Sequence, residues 1–558
     1  MTIPPLFSIR TDAAPWRAFV EHPLFLGFLL LLPVVWLLGP VPIDETRYLA
    51  VAWEMRQTGE FLVPHLNGAT YAHKPPMLFW MINVGWLVTG VHAWTARAMT
   101  LACSLITLIL MQRLTLRLGA SESAARHSMW LVLGAIYFGF FANAIMFDVP
   151  LTTCVLLAVH GLLDLVEGRS RRGILVTGVA IGLGILLKGP VMLLDIAFVA
   201  LGAPWWARDA LRGRRARYFG VFGLAFLLGV AIGLAWAIPA ALHGGDAYAR
   251  AIFLNQTFDR IEAVKGASAH GRPFWWYAAV FPLMLLPWPL VMRGSWQRLR
   301  SLQDDRAVRL GLAWVVPTFV AFSLIGGKQP HYLLPAIPGV ALILAVALER
   351  GALRVRTGVF GLVLIAVGVA FGWISQHPPS HFSDAYFGDT SVAWAIGIAV
   401  IGAAMLVSSR RAIEPAWPAL ATLAVVLIIK IAIVQGPGER YDVSRIATQI
   451  AAAQQRGKPI VCLGWHHGVF EFAGRLKEPL LVIEGMNEFA TWTQQHPDGL
   501  AVSFYARFRF RATPVFTQPF RGVEVSIWNA TEALASGVDP AVEHVRDGGD
   551  SGEEATDD

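Results

Sequence analysis

"LFLGFLLLLPVVWLLGPVPIDETRYLAVAWEM" occupies residues 24–55. Residues 24–40 carry no charge, and Asp44, Glu45 and Arg47 then follow within four positions. An apolar run of this kind reaches the ~17–25 residues that cross a bilayer. Charged groups just beyond it are either a helix cap with solvated neighbours or polar groups held at a membrane surface for a purpose. The rest of the chain decides between these readings.

The chain has 558 residues, 55% of them apolar and 15% charged, with a mean hydropathy of +0.54. A soluble domain carries about 25% charged residues, and a single soluble core stops growing near ~250–300 residues. An ordinary soluble enzyme is therefore excluded. The net charge of +7 does not point to nucleic acid, because the arginines fall in short clusters between apolar runs, which is the pattern of a membrane protein. Cys103 and Cys154 lie in apolar runs and Cys462 in the C-terminal part, so no disulfide framework is implied. The first apolar run begins only around Leu24 and reads as a retained span rather than a cleaved signal.

Length and apolarity suggest about thirteen spans, at 24–40, 93–112, 128–146, 149–166, 174–188, 190–206, 219–241, 275–293, 308–325, 332–348, 355–374, 391–408 and 416–435. With the N-terminus in the cytoplasm, the inner loops are 113–127, 167–173, 207–218, 294–307, 349–354 and 409–415. Every one of them contains arginine, as the positive-inside rule requires. The expected outer loops 41–92 and 242–274 are long. Two stretches of the first, "DETRYLAVAWEMRQTG" and "PPMLFWMINVGWLVTG", read as amphipathic helices lying along the interface, with Asp44 as N-cap of the first.

The expected organisation is a mainly α membrane domain over 1–436, a small outer α/β domain over 437–535 and a disordered acidic tail over 536–558. In the outer domain "YDVSRIATQIAAAQQRG" reads as a helix. "KPIVCLG", "PLLVIEG", "LAVSFY" and "VEVSIWNA" read as strands.

Under this topology the polar residues at span ends gather on the outer face. They are Asp44, Glu45, Arg47, His73, Lys74, Asp148, Lys188, Asp259, Arg260, Lys328, His331 and Tyr332. Singly, a lysine at a helix end snorkels and an aspartate at a turn caps; Arg97, just inside the second span, fits either a structural or a functional role. Together, acids and cations on one face beside long loops describe a site. Lysine and arginine can hold a phosphate, and a carboxylate beside them can position or deprotonate a nucleophile. A phosphate kept near the membrane plane implies a lipid carrier, with a polyprenyl phosphate as the leaving group stabilised by the cations.

"DETRY", "KPP", "FDVPL", "HGRPFWWYAAVFPLMLLPW" and "YLLPAIP" resemble segments of the GT-C membrane glycosyltransferases. The resemblance is to the bacterial aminoarabinose transferases of lipid A, relatives of the protein O-mannosyltransferases, and covers roughly residues 40–340. It implies a polytopic inner-membrane GT-C fold and an undecaprenyl-phosphate-linked sugar donor. It also implies transfer, with inversion, to a lipid A phosphate at the periplasmic face, among membrane lipids and without nucleic acid.

Carried over, Asp44 and Asp148 are the carboxylates at the reaction centre, with Glu45 beside them. Arg47, Lys74, Arg260, Tyr332 and Lys328 hold the donor phosphate, and Tyr48, His73, His331 and Lys188 line the acceptor or sugar pocket. No cofactor is required. His73 stands where the family usually has an acid, so the resemblance leaves a metal, structural or otherwise, undecided. A hydroxyl acceptor, as in a protein O-mannosyltransferase, would make Asp44 a base. A lipid-linked-sugar flippase is the reading from another class, although such transporters keep polar groups near the midplane.

Overall fold

The computed structural model describes residues 22–255, 272–377, 391–411, 413–435, 437–464, 466–504, 508–521 and 523–539. Helix α1 (Pro23–Leu37) starts with proline, which needs no N–H partner there, while the His22 ring accepts from Leu24 N. After a short turn, α2 (Asp44–Thr58) and α3 (Met77–Thr89) follow on the same side of the bundle and pack on each other. The main bundle continues with α4 (Ala93–Arg117), α5 (Glu122–Leu133), α6 (Ile136–Phe141), α7 (Asp148–Val166), α8 (Ser170–Lys188) and α9 (Val191–Leu201). It is completed by α10 (Arg215–Arg250), α11 (Trp276–Met284), α12 (Arg306–Leu324), α13 (Ile337–Glu349), α14 (Gly358–Gln376), α15 (Val392–Val407) and α16 (Ala416–Gln435). Among the described residues nine helices are long and apolar enough to cross a membrane, so the chain is a multi-pass membrane protein.

Several expected spans are interrupted. The segment expected at 128–146 breaks at Gly134 and Ala135, where Ile136 N turns to Leu286 O (2.7 Å). The one at 190–206 breaks at Gly202, and the one at 275–293 breaks where Leu286–Pro287 separates α11 from the turn Trp288–Val291. The long loop expected from 242 begins later, because α10 continues to Arg250 through a non-helical Gly245. Hydropathy registers apolar length, whereas these breaks are local backbone events.

The arginine-bearing loops gather at one end of the bundle. Arg117 pairs with Asp164 (2.5 Å) and Glu167 (3.0 Å), Arg169 and Arg172 also meet Asp164, and Glu349 accepts from Ser121 N (2.7 Å). Helix α7 therefore starts, and α8 ends, at the opposite end. The two are joined closely: a Cβ on Gly161 of α7 would lie 2.3 Å from Thr177 Oγ1 and 2.6 Å from Thr177 N of α8. Such small-residue contacts are how membrane helices approach each other, and this one fixes Asp148 and Lys188 at the same level.

Beyond α16 come α17 (Ser444–Gln455), α18 (Met486–Gln495), α19 (Ala530–Ser536) and a five-stranded sheet. Its strands are β1 (Ile460–Leu463), β2 (Leu481–Ile483), β3 (Leu500–Phe504), β4 (Phe516–Phe520) and β5 (Val523–Asn529), in the order β2-β1-β3-β5-β4. β1 is parallel to β2 and β3, and the other pairs are antiparallel. Two buried clusters cover its faces, one containing Ile446, Ile450 and Phe470, the other Phe489, Trp492 and Trp528.

This sheet unit sits on α2. Trp53 Nε1 donates to Leu476 O (2.9 Å), Asn67 exchanges two bonds with the Leu480 backbone (2.8 and 2.7 Å), and Trp86 stacks on Phe472 (5.6 Å). Helix α2 is consequently not a surface helix. Residues 45–52 and Met55 are all buried, although an amphipathic helix along the interface was the expectation. The polar residues Glu45, Thr46 and Arg47 that make this helix read as a surface helix are buried, and their side chains are hydrogen-bonded. Asp44 is also not the N-cap, a position held by Ile43; it is the first helical residue, and its side chain reaches one turn onward.

Candidate active site

The spacing of Asp44, Arg47 and Tyr48, i, i+3 and i+4, puts them on one face of α2. Arg47 Nη2 donates to Asp44 Oδ1 at 2.7 Å and Tyr48 Oη to the same oxygen at 3.2 Å, with the Arg47 guanidinium 5.8 Å from the Tyr48 ring. Arg47 and Tyr48 are buried, whereas the Asp44 side chain is 44% exposed, and Oδ2 has no hydrogen-bond partner among the described residues. One carboxylate oxygen is thus fixed and the other is available. Burial, followed by the Asp44 charge, raises the Tyr48 hydroxyl well above its usual range, so it remains a neutral donor. The Tyr48 ring meets Phe147 edge-on at 4.9 Å, which ties the start of α2 to the residue before Asp148.

Asp148 is the first residue of α7 and Lys188 the last of α8. A helix N-terminus favours an anion and a C-terminus a cation, so the two helix ends reinforce the charges they carry. Both side chains are buried, and Lys188 Nζ donates directly to Asp148 Oδ1. The same ammonium lies 4.7 Å from the Tyr332 ring, and His331 meets that ring edge-on at 4.9 Å. Lys188 and Lys74 lie within electrostatic range of Asp148, and the buried His331 ring lies within the same range. The charged groups within range of His331 are Asp148, Lys188, Lys74 and Asp44. The α2 group and the α7–α8 group therefore form one electrostatic unit, in surroundings where charges act more strongly than in water.

Residues far apart in sequence converge here: Asp44, Arg47, Tyr48, Lys74, Asp148, Lys188, His331 and Tyr332. His73 lies on the same loop, its ring 5.2 Å from Tyr71. Two expected members stand elsewhere. Glu45 points into the bundle, where Arg97 holds both its oxygens (3.0 and 2.5 Å) and the N–H groups of Ile145 (2.9 Å) and Val41 (2.8 Å) donate to it. Lys328 donates to the carbonyls of Arg272 (2.9 Å) and Ile325 (2.5 Å), bracing backbone rather than facing this cluster. Asp259 and Arg260 lie outside the described residues.

Three residues of interest were not singled out by sequence reasoning. Tyr71 neighbours Arg47 and Tyr48 electrostatically. Asp195 is fully buried in α9 near Lys188. Lys430 of α16 donates to Phe140 O and Asn143 Oδ1, both at 2.6 Å. The last two are single charges inside apolar runs, a signal visible in sequence; attention to span ends alone passes over them. Among the described residues no group of three His, Cys, Asp or Glu side chains could hold a metal ion.

A cavity of about 980 Å³ lies between α1, α16 and the sheet unit, lined by Trp36, Trp94, Lys430, Tyr441 and Arg475. Thr46 of α2 also lines it. At 100° per residue Thr46 lies on the face of α2 away from Asp44, so the cavity and the charged cluster flank α2 from different sides.

Residues 73–236 match the family model described as dolichyl-phosphate-mannose-protein mannosyltransferase. The chain is 28% identical over 416 residues to the undecaprenyl phosphate-alpha-4-amino-4-deoxy-L-arabinose arabinosyl transferase of Edwardsiella ictaluri, covering 70% of this chain and 72% of that one. It is 31% identical over 328 residues to the enzyme of the same name from Pseudomonas aeruginosa strain LESB58, covering 56% of each. Its structure is similar to the crystal structure of ArnT from Cupriavidus metallidurans bound to undecaprenyl phosphate, with a TM-score of 0.71 and 19% identity over 94% of this chain and 100% of that one. The chain thus shares the fold of that ArnT structure and is similar in sequence to the undecaprenyl phosphate-alpha-4-amino-4-deoxy-L-arabinose arabinosyl transferases.

Proposed function

We propose that this chain is an inverting, polyprenyl-phosphate-sugar-dependent glycosyltransferase of the GT-C type. It moves an amino sugar from undecaprenyl phosphate to a lipid A phosphate at the periplasmic face of the bacterial inner membrane. The observation that carries this reading is the single cluster of Asp44, Arg47, Tyr48 and Lys74 with Asp148, Lys188 and His331, in a chain similar to aminoarabinose transferases. Its side of the membrane follows from the arginine loops at the opposite end. A thirteen-span topology with the sheet unit in the periplasm fits the same rule, if each interrupted helix counts as one span.

In this reading Lys74 and Arg47, with Arg260, neutralise the departing polyprenyl phosphate as its charge develops. The acceptor attacks the anomeric carbon from the opposite side, through an oxocarbenium-like state. A lipid A phosphate is already ionised and needs no base. Asp44, through its second oxygen, and Asp148 then orient the acceptor or offset positive charge on the sugar. The donor brings its own leaving group, so no cofactor enters.

Lipid A from cells with and without the gene, compared by mass spectrometry, tests the reading. An amino sugar added to a lipid A phosphate only when the gene is present is the expected result. The family model matched over residues 73–236 favours one second reading, transfer to a protein hydroxyl with Asp44 as base. Unchanged lipid A together with altered glycoprotein would establish that reading instead.

A further inference from the structure

The cavity of about 980 Å³ between α1, α16 and the sheet unit takes no part in the transfer proposed above, since it and the Asp44 cluster lie on different sides of α2. Its membrane wall is apolar, with Trp36, Phe371 and Ile433. Trp36 is 55% exposed, as a side chain that meets lipid chains is. The Trp36 and Trp94 rings lie 5.8 Å apart, at the end of α1 and the start of α4, and tryptophans so placed mark the headgroup level of a bilayer. The charged residues in the wall are Lys430, Arg475 and Arg521 against one carboxylate, Asp442, which accepts from Ser444 N (2.9 Å). Lys430 is buried, so it does not snorkel to water. Its Nζ donates only to neutral oxygens, Phe140 O and Asn143 Oδ1, both at 2.6 Å. Glu45 is not its counter-ion, because Arg97 holds both Glu45 oxygens. Arg475 likewise donates to carbonyls, those of Phe472 and Val91, and pairs with no carboxylate among the described residues.

An ionisable residue inside a membrane helix is costly and by default has a use. Lys430 uses two of its three donors and Arg475 two of its five, so both keep capacity for an anion. Basic pockets between membrane helices take acidic lipid headgroups, and charge-assisted hydrogen bonds to phosphate are among the strong ones. An exposed apolar wall beside an unpaired cation calls for an occupant with chains and a negative charge. We propose that this cavity binds an anionic phospholipid of the leaflet on the sheet-unit side. Its chains run along Trp36, Phe371 and Ile433, and its headgroup charge is met by Lys430 from the bundle and by Arg475 from the sheet unit. The bound lipid is neither donor nor acceptor of the sugar; it fastens the sheet unit to the bundle.

The test uses the full chain, stripped of lipid in detergent and titrated with phosphatidylglycerol or with zwitterionic phosphatidylethanolamine of the same chains. Native mass spectrometry is expected to show one phosphatidylglycerol held about tenfold or more tightly than phosphatidylethanolamine. That lipid should also raise the melting temperature by about 3 °C or more. Lys430→Met and Arg475→Gln should each weaken phosphatidylglycerol binding about tenfold or more and leave phosphatidylethanolamine binding unchanged. If Lys430→Met does not fold, Arg475→Gln, on the other unit, decides alone. Equal retention of the two lipids by the wild type, or undiminished selectivity in Arg475→Gln, overturns the proposal. Lipid A added to the loaded protein should bind alongside phosphatidylglycerol; one-for-one displacement would make the cavity the acceptor's and overturn the proposal as well. Lipid retention is read without transfer, so a protein that transfers no sugar would refute the proposed function and leave this inference standing.

Discussion

Arg97 grips Glu45 through both guanidinium ends, Nη1 to Oε1 at 3.0 Å and Nη2 to Oε2 at 2.5 Å, with both side chains buried. The same guanidinium donates to the carbonyls of Leu38 (3.1 Å), Gly39 (2.6 Å) and Asn143 (3.3 Å). This pair fastens the turn after α1, the first turn of α2 and the segment before α7 to one another. It braces the backbone from which Asp44 and Asp148 project, and both Glu45 oxygens are already engaged. Arg97→Ala leaves a buried carboxylate without its cation and should cost about 3–5 kcal/mol, seen as a low yield of folded protein. Glu45→Gln keeps the shape but loses charge, and should lower stability by about 1–3 kcal/mol while the folded fraction still transfers sugar. A Glu45→Gln protein that melts like wild type yet has no activity would make Glu45 catalytic after all.

Asp44 is the opposite case. Its side chain is 44% exposed and its bonds use one oxygen only. Arg47 is buried, but the Asp44 side of the pair faces solvent and asparagine keeps an oxygen for both hydrogen bonds, so Asp44→Asn should cost only about 1 kcal/mol of stability. Loss of a positioned carboxylate at the reacting centre should lower the transfer rate by about a hundredfold or more. The two acids that adjoin in sequence are thus distinguished by which measurement each substitution moves. Transfer at wild-type rate by Asp44→Asn would remove this residue from the mechanism.

How much of this was legible in the sequence follows from what each feature depends on. The helical, multi-pass character depends on apolar length alone and could be read residue by residue. The cluster of Asp44, Arg47, Lys74, Asp148, Lys188, His331 and Tyr332 could be assembled because each sits at or near the end of an apolar run, and the motifs agreed. Glu45 and Arg97 were not separable from catalytic groups, because their pairing joins positions 52 residues apart and depends on how α1, α2 and α4 pack. Asp195 went unseen for the reverse reason: it sits mid-helix, where only packing reveals that nothing satisfies it. The burial of α2 was hidden because the unit that covers it begins some four hundred residues later.

Lys74 is assigned to the donor phosphate, and its neighbours Asp148 and His331 place it in the same electrostatic unit. A hydrogen bond to a charged group contributes about 1.5–3 kcal/mol, roughly ten- to a hundredfold in affinity. Lys74→Gln should therefore raise KM for the lipid-linked donor by about that factor. It should equally weaken inhibition by free undecaprenyl phosphate, while KM for lipid A changes little. An unchanged donor KM, with only acceptor binding affected, would move Lys74 to the acceptor side of the site.

The sheet unit should matter to transfer through one contact. Gly468 has a left-handed backbone (φ 68°), and a Cβ there would lie 2.6 Å from Leu66 Cδ1, 3.2 Å from Ala50 Cβ and 3.4 Å from Arg47 Cα. A side chain at this position pays about 1–2 kcal/mol in backbone strain and also pushes directly on the turn of α2 that carries Arg47. Gly468→Val should loosen the sheet unit from α2, visible as faster proteolysis around residues 437–444, and should lower transfer although every side chain of the cluster is kept. Gly485, at the start of α18, has no atom within 4 Å of its would-be Cβ and no left-handed backbone, so Gly485→Ala in the same unit is the control and should be silent. If Gly468→Val behaves like that control in both assays, the sheet unit does not set the position of α2, and its role must be sought in its outer surface.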